Sequence, residues 1–216
     1  MVSLAGGVSV LSLDATTTAA IGANADVLAG GDVAVMASDD TQFTVVSGAV
    51  AVGISGAGAA GSVGVVTISK ATGATIGAGA EVDAKASGAS DGIAGVLDGS
   101  VDSGGIGTQA GAVRGVIVQA ESSEKATHVA VAGGVGLYAG IAGGVTVTIF
   151  DSDTTAAIGA GAKINDNEAN YLTATGVGSA QGVYVGAANQ ADITSFAGAL
   201  GVGFVGLAGA VDFGSI

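Results

Sequence analysis

The sequence of 216 residues contains no cysteine, no proline and no tryptophan. The absence of cysteine excludes disulfide bonds, cysteine-ligated metals and thiol nucleophiles. Aromatic residues make up only 4% of the chain, so few bulky side chains are available to fill a compact globular core. The 41 glycines do not recur at every third position, which together with the lack of proline excludes collagen. A hydrophobic fraction of 49% nevertheless predicts a folded chain.

Positive charge is also scarce. The chain has 5 Lys and Arg residues against 18 Asp and Glu residues, a formal net charge of −13. A surface of that sign repels phosphate backbones and anionic lipids, so we expect no nucleic-acid partner. Only 11% of the residues are charged, so much of the surface consists of small uncharged groups. Such a surface favours self-association.

What the chain does contain is an internal repeat. One motif occurs three times without gaps and once more in truncated form, at residues 6–27, 61–82, 143–164 and from residue 209. A second motif, in which Gly or Ala alternates with Val, Leu or Ile, precedes each later copy, at residues 41–60, 126–142 and 192–208. We therefore predict a single continuous domain over residues 1–216, with variable insertions near residues 83–125 and 165–192.

The local pattern of the repeats favours strands. Short β-branched runs with period-2 spacing are bounded by Gly and by Asp/Thr/Ser clusters, whereas good helix formers are few. Stacked β-coils leave room for only small inward side chains, which explains the Gly and Ala content. The sequence predicts an all-β solenoid of irregular Gly/Ala/Val-rich repeats. At about twenty residues per coil it would have about ten coils and be about 50 Å long.

Aliphatic residues at equivalent places of the three repeats are predicted to point inward and form the core: Val8, Val10, Ile21, Val63, Val65, Ile76, Val145, Val147 and Ile158. A buried charge without a partner is costly, so replacing Val65 or Ile158 by Asp is expected to prevent folding.

These residues also carry a resemblance to a known family. The combination of GxVxV, a short Asp/Thr-rich step, TTAAIGAGAxV and GDVAVMASDDT resembles the repeat regions of large bacterial secreted adhesins, the filamentous-haemagglutinin-like and leukotoxin-like proteins. The resemblance spans essentially the whole chain. It implies a right-handed parallel β-helix, exported through an outer-membrane transporter, that acts as a stalk or shaft. The implied location is extracellular or the bacterial cell surface. No basic signal-peptide region precedes Gly6, and we expect the chain to be a section of a longer protein.

Motifs that would indicate catalysis or a cofactor are weak. Two stretches match G-x-G-x-x-G, at residues 56–61 and 201–206, but the first leads into a predicted strand rather than a helix. Parallel β-helix lyases and hydrolases need a cation beside clustered carboxylates, whereas Arg114 is the sole Arg and lies in an insertion. His128 is the only histidine and lies in a predicted strand. We therefore predict no enzyme activity and no cofactor.

Calcium is the one metal that the acidic residues suggest. Asp39 and Asp40 form one acidic pair, and the other candidate ligands are Asp151, Asp153, Asp166 and Glu168. The sequence has neither an EF-hand loop nor the calcium-binding nonapeptide of parallel β-rolls. The alternative interpretation is that these residues occupy solvent-facing corners.

The sequence thus predicts a structural shaft segment of an exported adhesin that extends, adheres and self-associates, with a host or neighbouring-cell receptor reached through the parent protein. One alternative is a self-assembling homopolymeric filament subunit, because residues 45–66 lack charged or proline gatekeepers. Another is a calcium-stabilised binding module. Three uncharged tracts, residues 41–69, 126–150 and 193–211, are long enough to span a bilayer as helices, but their period-2 alternation favours strands.

Overall fold

The computed structural model describes residues 2–85, 91–166 and 181–216. Every secondary-structure element within these ranges is a strand, which confirms the all-β prediction. In chain order the strands are β1 (Ser3–Ile21), β2 (Asp26–Ala29), β3 (Val33–Gly53), β4 (Ala57–Ile76), β5 (Glu81–Ala84), β6 (Leu97–Asp102), β7 (Gly105–Thr108), β8 (Arg114–Gly136), β9 (Ala139–Ile158), β10 (Lys163–Ile164), β11 (Gln181–Val202) and β12 (Val205–Ser215).

Three parallel sheets contain all of these strands except β6 and β7. Sheet A has the order β1-β4-β9-β12, sheet B the order β2-β5-β10 and sheet C the order β3-β8-β11. The chain visits A, then B, then C, and then returns to A beside the strand it left. The remaining strands, β6 and β7, form an antiparallel hairpin within the first insertion.

The gapless repeats pair residue for residue. Ile21 is the partner of Ile76, 55 residues later, and Ile76 is the partner of Ile158, 82 residues later. The predicted coil of about twenty residues is therefore wrong, because each repeat contributes two strands of about that length and a short third one. The four strands of sheet A rise only about 14 Å along the stacking direction, not about 50 Å.

The Ile-Gly-Ala step of the repeat forms the corner between sheets A and B. The residue after it is Asn24, Gly79 or Gly161, with φ of 55°, 69° and 71° respectively. Glycine and asparagine are the residues that adopt this left-handed conformation most readily, which explains why this position is Asn in the first repeat and Gly in the next two. The corners of neighbouring repeats also stack on each other, since the backbone N–H of Asn24 donates to the Ala78 carbonyl oxygen at 3.0 Å.

At the opposite end of the long strands, tight turns at residues 54–56, 137–138 and 203–204 join sheet C to the next strand of sheet A. Here the two sheets approach to backbone contact. A Cβ on Gly58 would lie 2.1 Å from the Val135 carbonyl oxygen, and one on Gly134 would lie 2.0 Å from that of Ile141. This narrow end therefore requires glycine, and alanines such as Ala51 fill the space beside it.

Larger aliphatic side chains occupy the wide end, where sheet B closes the space between sheets A and C. Ile76 is 1% exposed there, and Ile21 and Ile158 pack against the same cluster with Val82 and Val118. The structure thus places these three isoleucines on the inward face, as predicted.

The six predicted core valines lie on the outward face instead, which corrects the sequence interpretation. Val8, Val10 and Val63 are 75%, 70% and 37% exposed, and the other three, Val65, Val145 and Val147, are partly exposed on the same side. Both faces of these strands carry apolar or small residues, so alternation alone does not identify the inward one. The inward column next to the narrow end consists of Gly7, Ser62 and Gly144. A Cβ on Gly7 would lie 2.2 Å from the Gly48 carbonyl oxygen, so valine has no room there.

The uncharged tracts form strands and the turns between them, not helices. No helix in the part of the chain that the structure describes is long and apolar enough to cross a membrane. The first insertion is also shorter than predicted, because β8 begins at Arg114. Its hairpin rests on the outer side of sheet C, where the Leu97 amide donates to Gln119 Oε1 at 2.8 Å.

Two substitutions on β4 test this assignment of faces. Ile76→Asp buries a charge without a partner and should lower the free energy of unfolding by more than about 4 kcal/mol or prevent folding. Val65→Asp, on the outward face, should fold and cost about 1–2 kcal/mol. Urea denaturation followed by circular dichroism measures both. A folded Ile76→Asp variant beside an unfolded Val65→Asp variant would reverse the assignment.

Buried polar clusters and exposed apolar columns

A charged cluster lies between sheets A and C, midway along their long strands. The Lys70 ammonium is 2.8 Å from Glu124 Oε1 and 3.0 Å from Thr41 Oγ1, and it forms a second ion pair with Asp39. The side chains of Lys70 and Glu124 are 0% exposed, and that of Asp39 is 13% exposed. The cluster is thus a feature of the interior rather than of the surface.

Strand register explains how these groups meet. Lys70 points inward from β4 in sheet A, while Asp39 and Glu124 point inward from the neighbouring strands β3 and β8 of sheet C. Burial raises the pKa of Asp39, but hydrogen bonds from Lys70, Thr41 and Thr17 outweigh it, so this pKa lies below its ordinary value. The lysine therefore holds two sheets and two successive repeats together.

His128, the only histidine, is also buried, on the inward face of β8. Its Nδ1 lies 3.0 Å from Thr148 Oγ1, and its Nε2 lies over Gly64, where a Cβ would be only 2.2 Å away. Burial lowers the pKa of His128, and the nearby charge of Asp212 offsets this only in part. A neutral imidazole is therefore favoured at neutral pH.

The carboxylate of Asp212 accepts hydrogen bonds from two hydroxyls, Thr146 Oγ1 at 2.6 Å and Ser195 Oγ at 2.7 Å. These bonds lower the pKa of Asp212. Ser195 and Asp212 also line an open cavity of about 530 Å³ with Thr148. A catalytic serine would need its hydroxyl bonded to the histidine, whereas Ser195 donates to the carboxylate and His128 bonds Thr148. The geometry matches a structural network better than a nucleophile.

The predicted calcium ligands that the structure describes do not form a metal-binding group. Asp151 and Asp153 lie on the exposed outward face of β9, and Asp166 is exposed after β10. Glu168 lies outside the described residues. Among the residues that the structure describes there is no group of three or more His, Asp or Glu side chains able to hold a metal ion. Asp39, from the other acidic pair, is engaged by Lys70.

Neither glycine motif opens a helix. The one at residues 56–61 spans a tight turn and the start of β4, and the one at residues 201–206 spans the turn between β11 and β12. Some of their glycines, such as Gly58 and Gly201, allow the close approach of the two sheets. This geometry offers no helix N-terminus for a pyrophosphate.

The outward side of sheet A carries apolar columns that run across the four strands, next to the narrow end. Four adjacent columns, which we call the valine face, consist of a leucine column (Leu4, Ala59, Ile141, Leu207), a glycine column (Gly6, Gly61, Gly143, Gly209) and two valine columns (Val8, Val63, Val145, Val211 and Val10, Val65, Val147, Phe213). No charged residue belongs to this face.

Sequence reasoning missed the Lys70 cluster. A signal was available in the alternation of β4, because Lys70 is six residues from Ile76 and therefore shares its inward face. The partners Asp39 and Glu124 lie 31 and 54 residues away in the chain, and only the stacking of the sheets brings them to the lysine.

Comparisons with protein-family models, with curated proteins and with solved structures found no match to this chain.

Removal of the buried lysine provides a test of the charged cluster. Lys70→Met leaves two buried carboxylates without a cation and should lower the free energy of unfolding by about 3–5 kcal/mol at pH 7. The exposed pair of Lys163 and Glu81, 3.9 Å apart, provides the control: Lys163→Met should cost at most about 1 kcal/mol. Equal effects of the two variants in urea denaturation would contradict a stabilising role for the cluster.

The lowered pKa of His128 predicts acid sensitivity. The unfolded chain takes up a proton near pH 6.5 before the folded chain does, so stability is complete above that pH and declines as the pH falls toward the folded pKa. The lowered pKa values of Asp39 and Asp212 add their losses only at lower pH.

Thermal melts between pH 7.5 and 5 should show this decline in the wild type. His128→Gln, which cannot titrate, should have a flatter profile over the same range. Superimposable pH profiles of the wild type and the variant would show that His128 does not contribute to the loss of stability in acid.

Proposed function

We propose that the chain is a right-handed parallel β-solenoid and forms a section of the shaft of an exported bacterial surface protein of the filamentous adhesin type. The observation that carries the proposal is the stacking of gapless repeats in register, with the chain passing from sheet A to B to C and back to A. Crossover connections between parallel strands are overwhelmingly right-handed, which supports the handedness.

Stacked coils suit a shaft because each coil contacts only its neighbours. Further repeats lengthen such a stack without requiring a new fold. Three coils and the first strand of a fourth rise only about 14 Å between the outermost strands of sheet A. A shaft of useful length therefore needs more repeats than these, and we propose that this chain is one section of a longer stack whose receptor-binding site lies elsewhere.

The buried groups also support a structural role rather than a catalytic one. Lys70 is held in two ion pairs in the interior, and the Ser195 hydroxyl is bonded to a carboxylate. Hydroxyl and charged side chains between the sheets fix the register of successive coils, because a shift by one residue would place them outside. Uniform register is what a regular shaft requires.

The alternative role of a self-assembling filament subunit is favoured by one observation, the exposed apolar residues of sheet A and of the tight turns, such as Ile54 at 88% and Phe204 at 91% exposure. Apolar surface of this extent indicates an interaction site. We propose that association through such surfaces accompanies the shaft function at the cell surface.

Single-molecule force spectroscopy tests the shaft proposal. A stack of coils pulled from its ends should open one coil at a time, with contour-length increments of about 20 nm for a coil of 55 residues and about 30 nm for one of 82. One event releasing the whole chain would contradict coil-by-coil stacking.

Antibodies against the chain should label intact cells that produce the parent protein, and labelling only after permeabilisation would contradict export.

A further inference from the structure

We propose that the valine face is a docking surface for the valine face of a second copy of this chain. This inference rests on the proposed function, because parallel shafts of one kind meet along their flat sides. The shape of the face, the spacing of its columns and its lack of charge all favour a second copy as the partner.

Exposure of the face is extensive. Leu4, Val8 and Val10 are 81%, 75% and 70% exposed on β1, and Val211 and Phe213 are 60% and 59% exposed on β12. Apolar patches of this kind on a protein surface mark sites of interaction. The register of sheet A makes the patch continuous from the first strand to the last.

The glycine column forms a groove in this patch. A Cβ placed on Gly6, Gly61 or Gly209 would meet nothing within 4 Å, and one on Gly143 would meet only the Gly209 carbonyl oxygen, at 3.9 Å. The leucine column and the first valine column flank the groove as ridges, each about 6.6 Å away along the strands. The groove is thus an open channel parallel to the stacking direction.

The spacing along the ridge and the groove matches the spacing along the same columns of a second copy. Both repeat at about 4.8 Å, the distance between neighbouring strands. A second valine face therefore offers a ridge whose valines can enter the groove at every strand, as in the dry interfaces between paired sheets. Lipid chains, and protein surfaces that are not built from stacked strands, lack this period. Because each copy has a valine ridge beside its groove, the contact is self-complementary and fits a two-fold axis.

Charge also favours this contact. The tracts that carry the face are residues 2–13, 57–69, 139–150 and 205–213. Their one charged residue is Asp212, whose carboxylate lies on the inward side and accepts a hydrogen bond from Thr146, so the rest of the net charge of −13 lies elsewhere on the chain. Two copies that meet through the valine face bring no like charges together, whereas contacts through the acidic remainder would be repulsive.

Sheet C does not offer an equivalent surface. Two of its outward columns are continuous and apolar (Val46, Val129, Phe196 and Val52, Val135, Val202). The two columns between them mix glycine with larger residues, since Val131 stands between Gly48 and Gly198, and Gly133 stands between Val50 and Leu200. No groove continues across its three strands. The apolar surface of sheet C therefore lacks the shape complementarity that the valine face has.

The area of the face sets the expected strength of association between two copies. Four strands and a length of seven residues give about 19 Å by 20 Å, roughly 400 Å² for each partner. Stable dimers bury about 800 Å² for each partner, so we expect weak, concentration-dependent association of this chain. Additional stacked repeats in a longer protein would multiply the contact.

Filling the groove tests the proposal. The double variant Gly61→Val with Gly143→Val adds apolar surface in open space and leaves the fold intact, but it occupies the channel. Sedimentation velocity over a concentration series should show dimers of the wild type and association weakened on the order of tenfold in the variant. Gly73→Val is the matched control, because Gly73 lies on the same outward side of β4 beyond the valine face and has equal space. It should associate like the wild type.

Three outcomes would overturn the proposal. Unchanged or stronger association of the double variant would indicate general hydrophobic attraction without ridge-in-groove packing. A wild type that stays monomeric at every concentration would exclude the contact. If the same protein still unfolds coil by coil under force, the proposed shaft function would be retained. Binding of the monomer to phosphatidylcholine vesicles, with no dimer formed, would assign the face to lipid.

Discussion

The separation between sheets A and C is the constraint on which the rest of the structure depends. At one end the sheets touch through their backbones, so that Gly58 and Gly134 have no room for a side chain. At the other end sheet B holds them apart, and isoleucine and valine fill the gap. Between these ends lie the charged cluster of Lys70 and the imidazole of His128. The composition of the chain, rich in glycine and poor in aromatic residues, follows from this taper.

Parallel stacking imposes a second requirement, because each side chain lies beside its equivalents in the neighbouring strands of the same sheet. Columns of isoleucine are favourable under this rule, whereas a column of like charges would be repulsive. Lys70 meets the requirement by placing one cation between the carboxylates of two neighbouring strands of sheet C. The same rule acts on the outside, where it converts single valines and glycines into continuous ridges and grooves.

Sequence reasoning predicted the features that depend on local pattern. Strand character, the repeats and the inward position of Ile76 all follow from alternation and self-similarity. The predicted coil of about twenty residues was wrong, because each repeat contributes two strands of about that length and a short third one. The outward position of Val65 was also missed, since β4 is apolar or small on both faces and only the distance to sheet C decides which face is enclosed.

The sequence alone therefore determined that this chain forms strands and that its repeats lie side by side in register, because hydrogen-bonded pairing of equivalent residues needs only equal spacing. Only the tertiary structure decided which residues are enclosed and which form the valine face. The reason is physical: burial depends on how closely the opposing sheet approaches, and that distance is set by residues far away in the chain.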